Sequence, residues 1–286
     1  MKSRKSKRKL AIVMSGGGMQ CVYGAGVLTA LAEHYHITDP DILIAASGSA
    51  SSAAYYLAKQ YEKISLTWIA LSQDPKFISM LKRPIVNVDY LVDEILGKRQ
   101  TLDYKRMQKS KTKLLFPVLR ARDGALTYLK APKNMNILKE IRATLAAPVV
   151  FGKKVKIRGR YYIDGAYGPT VHDYMYRAVK EKAKTIIAIN SQRGGYSEAS
   201  KALLRASSSS ISPLRQKKSF ARFSKEALKK HGVFIPPNDV NVIMLEPKAK
   251  LPVSFLGGTR YSYRAAFNAG YEDTIKNPNL EKLLRP

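Results

Sequence analysis

Two short stretches near the start of the chain hold residue types that could do chemistry together. Ser15-Gly16-Gly17-Gly18 breaks an apolar run. Glycines let backbone amides approach a ligand closely, and amides ahead of a helix favour negative charge, so this loop could cradle a phosphate or a developing oxyanion. Further on, Ala46-Ser47-Gly48-Ser49-Ala50-Ser51-Ser52 follows a second apolar run. A small-residue turn holding serine between a strand and a helix presents an exposed nucleophile. Either stretch alone also reads as an ordinary turn, because Gly and Ser are common turn residues. Their order along one βαβα pattern is the more specific signal.

The elements that position them are legible. Leu10 to Met14 is too short to span a membrane and reads as a buried strand, as does Asp41 to Ala45. Between these runs Val22, Ala25, Gly26, Leu28, Thr29 and Ala32 recur at helical spacing. Leu10 to Lys59 is therefore strand, glycine loop, helix, strand, serine turn, helix.

This arrangement resembles the patatin-like phospholipase family, which carries a glycine-rich oxyanion loop, a Gly-x-Ser-x-Gly elbow and a later Asp-Gly-Gly or Asp-Gly-Ala. The third element here is Asp164-Gly165-Ala166, after Arg160 to Ile163. Ile141 to Ala166, with Ala146 to Phe151 inside it, is similar to the stretch that leads into the family's aspartate. The resemblance runs from about Leu10 to about Ile189, and Ala265 to Tyr271 is similar to the family's closing helix. It implies a three-layer α/β/α fold around a mostly parallel sheet. It also implies a lipid acyl hydrolase acting on phospholipid or another acyl-ester lipid, with no cofactor, no metal and no histidine in its Ser–Asp dyad.

Mapped residue by residue, the resemblance makes Asp164 the base, with Gly165 allowing the close turn that exposes it and Ala166 completing the motif. Gly16, Gly17 and Gly18 become the oxyanion candidates. Two registers are open for the nucleophile. Aligning the strand ending at Ala45 without gaps puts Ser47 at the serine, with Ala45 and Ser49 in place of the two elbow glycines. A shift of two puts Ser49 there, flanked by Ser47 and Ser51. The first register is preferred, since Ala50 and Ala53 then fall where the family has small residues. The chain departs from the family at Gln20 and Cys21, where a cation and a glycine are usual. Loss of that cation weakens organisation of the loop, and the alternative is a protein that kept the fold and lost activity, binding anionic membrane or nucleic acid. A Ser–Asp–His triad through His172 is a third reading; the chain has four histidines, none in a strong motif.

Composition bounds the rest. At 286 residues with 45% hydrophobic content, the chain can bury a substantial core. A single cysteine, Cys21, excludes an internal disulfide and fits a reducing compartment. The net charge of +29 favours an anionic partner. An anionic membrane surface fits the motifs better than nucleic acid, for which no zinc-finger or RNP-like spacing exists. A generally basic surface is the plainer explanation of the same charge. Residues 1–9 read as a basic tail, and residues 10–286 as one hydrolase domain with its core motifs in 10–190 and a basic helical region and last strand in 191–286. In that region Phe220, Phe223, Ala227 and Leu228 share a helical face among cations, the pattern of a helix lying on a membrane. The expected location is cytoplasmic, peripheral on the inner face of the membrane. Along the chain we expect a helix over Tyr61 to Leu81, with Trp68, Phe77 and Met80 either covering the nucleophile and lining an acyl pocket or serving as ordinary core packing. Hairpins are expected around Asp123-Gly124 and Gly159-Arg160, and strands at Thr185 to Asn190 and Val240 to Leu245.

Overall fold

Five apolar runs become the parallel strands β1 (Leu10–Met14), β2 (Ile42–Ala45), β3 (Lys113–Arg120), β7 (Thr185–Ile189) and β8 (Asn241–Leu245), side by side as β3-β2-β1-β7-β8. The computed structural model describes residues 9–132, 137–148, 150–192 and 232–284. Most of the expected basic tail and the whole basic stretch containing Phe220 to Leu228 lie outside the described residues. Beyond β3 the sheet continues antiparallel through β6 (Arg160–Asp164) and β5 (Val155–Ile157), while β4 (Leu126–Lys130) also pairs with β3. The result is a mixed, mostly parallel sheet covered by helices on both faces.

Burial on both faces explains why β1 and β2 read as unbroken apolar runs. On one face Ile12, Met14, Leu43 and Ala45 pack against α1 (Val22–Glu33) and α2 (Ser49–Leu57). On the other, Ala11, Val13, Ile42 and Ile44 pack against Val171, Tyr174 and Met175 of α6 (Val171–Lys180). α1 is itself enclosed by the long helix α7 (Arg260–Ile275). Where those two helices cross, a Cβ on Gly26 would lie 2.0 Å from the Phe267 carbonyl, and one on Gly270 2.0 Å from that of Tyr23. A short α8 (Pro278–Leu284) ends the described chain.

The register of β3 is what brings the site together. β4 occupies one edge of β3 from Leu115 to Leu119. The other edge is shared: β2 pairs with it up to Leu115, and β6 from Val118 onward. The C-terminal ends of β2 and β6 therefore point at each other across the gap beside Phe116 and Pro117. A proline, which has no amide to donate, fits a place where the ladder is interrupted.

Some boundaries differ from the sequence reading. The helix expected over Tyr61 to Leu81 stops at Leu71 (α3, Tyr61–Leu71), because Pro75 drives Asp74 away from helical geometry. Asp74 instead caps a turn, its Oδ1 accepting the Lys76 amide at 2.9 Å. The elbow helix begins at Ser49 rather than Ser52. Tyr90–Arg99 is wound as a π-helix and is followed by α4 (Tyr104–Lys109), capped by Asp103, whose side chain accepts the Arg106 amide. α5 (Leu138–Thr144) follows, with Leu145 as its C-cap.

Candidate active site

Ser47 occupies the turn between β2 and α2 with a φ of +51°, in the left-handed region that side-chain-bearing residues rarely adopt. Strain at such a position persists only where the surroundings hold it. Here Thr144, at the end of α5, does the holding. Its Oγ1 accepts the Ser47 amide at 3.1 Å and donates to the Pro117 carbonyl at 2.6 Å, filling the gap between β2 and β6. Below the turn a Cβ on Gly48 would lie 2.6 Å from the Gly18 carbonyl and 3.1 Å from Cys21 Sγ, so the elbow sits directly on the glycine loop.

From the other side β6 delivers Asp164. Its amide donates to the Ala146 carbonyl at 3.1 Å, and its Oδ1 accepts the Ala166 amide at 2.8 Å. Its Oδ2 accepts the Ser47 hydroxyl at 2.7 Å. The turn after it is as tight as the Asp-Gly signal implies: a Cβ on Gly165 would lie 2.1 Å from the Pro117 carbonyl. Asp164 is 4% exposed. Burial raises its pKa to about 7 by penalising the charged form, while the hydrogen bonds from Ser47 and Ala166 pull it back down. A carboxyl tuned near neutrality and bonded to a serine hydroxyl can take the proton from that hydroxyl as it attacks.

The two candidate serines have different surroundings. Ser47 borders a cavity of about 40 Å³ together with Asp164, Gly18 and Gly48. Ser49 is fully buried, and its hydroxyl donates to the Ser15 carbonyl at 2.7 Å, tying α2 to the start of the glycine loop. Of the three glycines, Gly18 lies on the cavity with φ +57°. Gly16 is wedged between the Ala166 and Ser47 side chains, and Gly17 backs onto Gln192. Among the described residues, the amides of Gly16, Gly17, Gly18 and Gly48 have no intramolecular acceptor.

The cavity walls are apolar: Trp68, Leu71, Phe77, Val88, Leu91 and Phe255 are among them. Trp68 and Phe77 thus lie where the sequence reading put them, with the Trp68 indole donating to Ser52 Oγ at 3.0 Å. Met80 does not; it is 63% exposed.

The departures from the family pattern have structural places. Gln20 Oε1 accepts the Gln192 amide at 3.3 Å, bracing the loop where a cation is usual. Cys21 is fully buried beneath Gly48, and burial raises its thiol to about 12, so it stays protonated. His172 is engaged elsewhere, its Nδ1 accepting the Phe234 amide at 3.2 Å, and among the described residues no histidine borders the cavity.

Thr144, Gln192 and Phe255 were not legible as site residues. The Phe255 carbonyl accepts the Met19 amide at 3.0 Å and its ring covers Gly18. None of the three carries a local signal; only the tertiary fold brings them to the elbow.

With this geometry in place, the comparisons are specific. Residues 12–172, more than half of the chain, match the family model of patatin-like phospholipases, and the protein belongs to that family. Two solved structures share the fold. One is VipD from Legionella pneumophila, with a TM-score of 0.50 and 12% identity, over 97% of this chain and 67% of that one. The other is human GIVD cytosolic phospholipase A2 in complex with methyl gamma-linolenyl fluorophosphonate, with a TM-score of 0.51 and 10% identity, over 97% of this chain and 58% of that one. The chain is thus about two thirds the length of the first, and shorter still against the second. No protein with a curated description matches it in sequence. Among the described residues, no helix is long and apolar enough to cross a membrane.

Proposed function

We propose that the protein hydrolyses fatty-acyl esters of lipids through a Ser47–Asp164 dyad. Membership of the patatin-like phospholipase family supports the substrate class. The observation that carries the mechanism is the 2.7 Å hydrogen bond from the strained Ser47 to the buried Asp164, at the edge of an apolar cavity. Ser47 Oγ attacks the ester carbonyl while Asp164 takes its proton. The tetrahedral oxyanion forms against amides of the glycine loop, where Gly18 is the best-placed donor because it borders the cavity and its amide has no acceptor within the described residues. Asp164 then returns its proton to the departing alcohol. Water, deprotonated by the same carboxylate, releases the fatty acid and regenerates Ser47. Ser49 serves as a structural tether in this reading.

At about 40 Å³ the cavity is far below the several hundred Å³ typical of ligand pockets, so an acyl chain enters only as the apolar walls part. Release of fatty acid from phospholipid vesicles and from a soluble ester, compared between wild type and Ser47→Ala, tests the proposal. An alternative reading, an inactive protein that binds anionic membrane or nucleic acid, draws support from Gln20 and Cys21 in place of the family's cation and glycine. Vesicle binding without any ester turnover would favour it.

A further inference from the structure

Between α3 and the π-helix the chain makes a narrow excursion whose stem and tip have opposite characters. The stem is built: the Ser79 amide donates to the Ile85 carbonyl at 2.9 Å, the Asn87 amide to the Phe77 carbonyl at 2.7 Å, and the Val86 amide to the Val150 carbonyl at 2.9 Å. Phe77, Val86 and Val150 all line the cavity beside Ser47. The tip is the reverse. Leu81 is 98% exposed and Met80 63%, and Lys82 and Arg83 follow them into solvent. Neither cation has a carboxylate partner among the described residues.

Single exposed apolar residues are ordinary, but two adjacent ones at a loop tip, followed at once by two cations, make a combination that water does not favour. An anionic bilayer fits both halves. Apolar side chains gain by leaving water for the acyl region, and Lys and Arg gain at the headgroup level of an acidic leaflet. The charge of the whole chain, +29, has the matching sign. A nucleic acid would satisfy the cations and leave Leu81 and Met80 in water.

We infer that the tip Met80-Leu81-Lys82-Arg83 is the contact by which the protein enters an anionic lipid surface, setting the mouth of the Ser47 cavity against the bilayer. The inference rests on the hydrolase reading for its purpose, since the same stem that carries the tip forms one wall of the cavity. It does not rest on that reading for its test.

The test is co-sedimentation of the full-length protein with phosphatidylcholine vesicles, with and without phosphatidylserine. The double variant Met80→Asp/Leu81→Asp should bind phosphatidylserine vesicles at least about tenfold more weakly than wild type. Lys82→Gln/Arg83→Gln should weaken binding only where phosphatidylserine is present, with the difference disappearing in high salt. Thermal melts of both should match wild type, which shows that they fold, and turnover of a soluble short-chain ester should be unchanged. Because Cys21 is fully buried, a Leu81→Cys variant can be labelled selectively with an environment-sensitive fluorophore, whose emission should shift to the blue on adding vesicles. Unaltered vesicle binding by Met80→Asp/Leu81→Asp would overturn the inference. So would a variant that loses self-association or RNA binding instead, assigning the tip to a second copy or to nucleic acid. A wild type that binds vesicles through the tip but cleaves no ester, soluble or in vesicles, would sustain the inference and refute the hydrolase reading.

Discussion

The Ser47 hydroxyl and the Asp164 carboxylate, 117 residues apart in the chain, meet at 2.7 Å because β2 and β6 end facing each other along one edge of β3. Everything proposed for the chemistry depends on that meeting and on what holds it.

The first consequence is a pH dependence. Burial raises Asp164 to about 7, and a base must be ionised to accept a proton. kcat/KM on a soluble ester should therefore rise as pH increases through about 7 and level off above it. A profile already flat from pH 5 would separate Asp164 from the proton transfer.

The same shift has a cost in stability. A pKa raised from 3.8 to about 7 on folding means that the folded state prefers the neutral carboxyl. The stability it contributes is whole below pH 3.8 and is lost as pH rises through about 7, a difference on the order of 4 kcal/mol. Asp164→Asn, uncharged throughout, should melt several degrees higher than wild type at pH 8, and the gap should close towards pH 4. Thermal melts across that range would show it; an equal gap at both ends would contradict it.

Thr144 positions the elbow rather than touching substrate. Thr144→Val leaves the buried Ser47 amide and the Pro117 carbonyl without their partner, costing about 1–3 kcal/mol of stability. With Ser47 no longer held, kcat should fall by at least about tenfold with little change in KM. Thr144→Ser keeps the hydroxyl and should restore most of the rate, an outcome that a role in packing alone would not give.

Gly16 separates the elbow from the aspartate turn. A Cβ there would sit 2.4 Å from that of Ala166 and 3.0 Å from that of Ser47. Gly16→Ala should push the two apart and lower kcat on the order of a hundredfold. Adding Ala166→Gly removes the nearer clash and should recover part of the loss.

Much of this was legible in the sequence, for physical reasons that can be named. Parallel strands buried on both faces are plain apolar runs, so β1, β2, β7 and β8 stood out, and Asp-Gly and Gly-Arg signals marked both hairpins. Ser47 and Asp164 stood in short motifs whose turn chemistry is local. The choice between Ser47 and Ser49 was not local: it depends on which hydroxyl faces Asp164 and which faces the Ser15 carbonyl, a matter of tertiary register. Thr144 was hidden because a threonine ending a short helix has no distinctive pattern. The end of α3 at Leu71 was readable in principle from Pro75, but the apolar spacing continuing to Leu81 masked it. That same spacing concealed the exposed tip at Met80 and Leu81.

The most direct measurement is fatty-acid release from phospholipid vesicles and from a soluble ester by wild type, Ser47→Ala, Ser49→Ala and Asp164→Asn, each shown to be folded. Ser47→Ala and Asp164→Asn should lose at least about a thousandfold in kcat on both substrates. Ser49→Ala should keep most of its rate with a modest loss of stability. Full turnover by Ser47→Ala, or its loss in Ser49→Ala alone, would contradict a Ser47–Asp164 dyad.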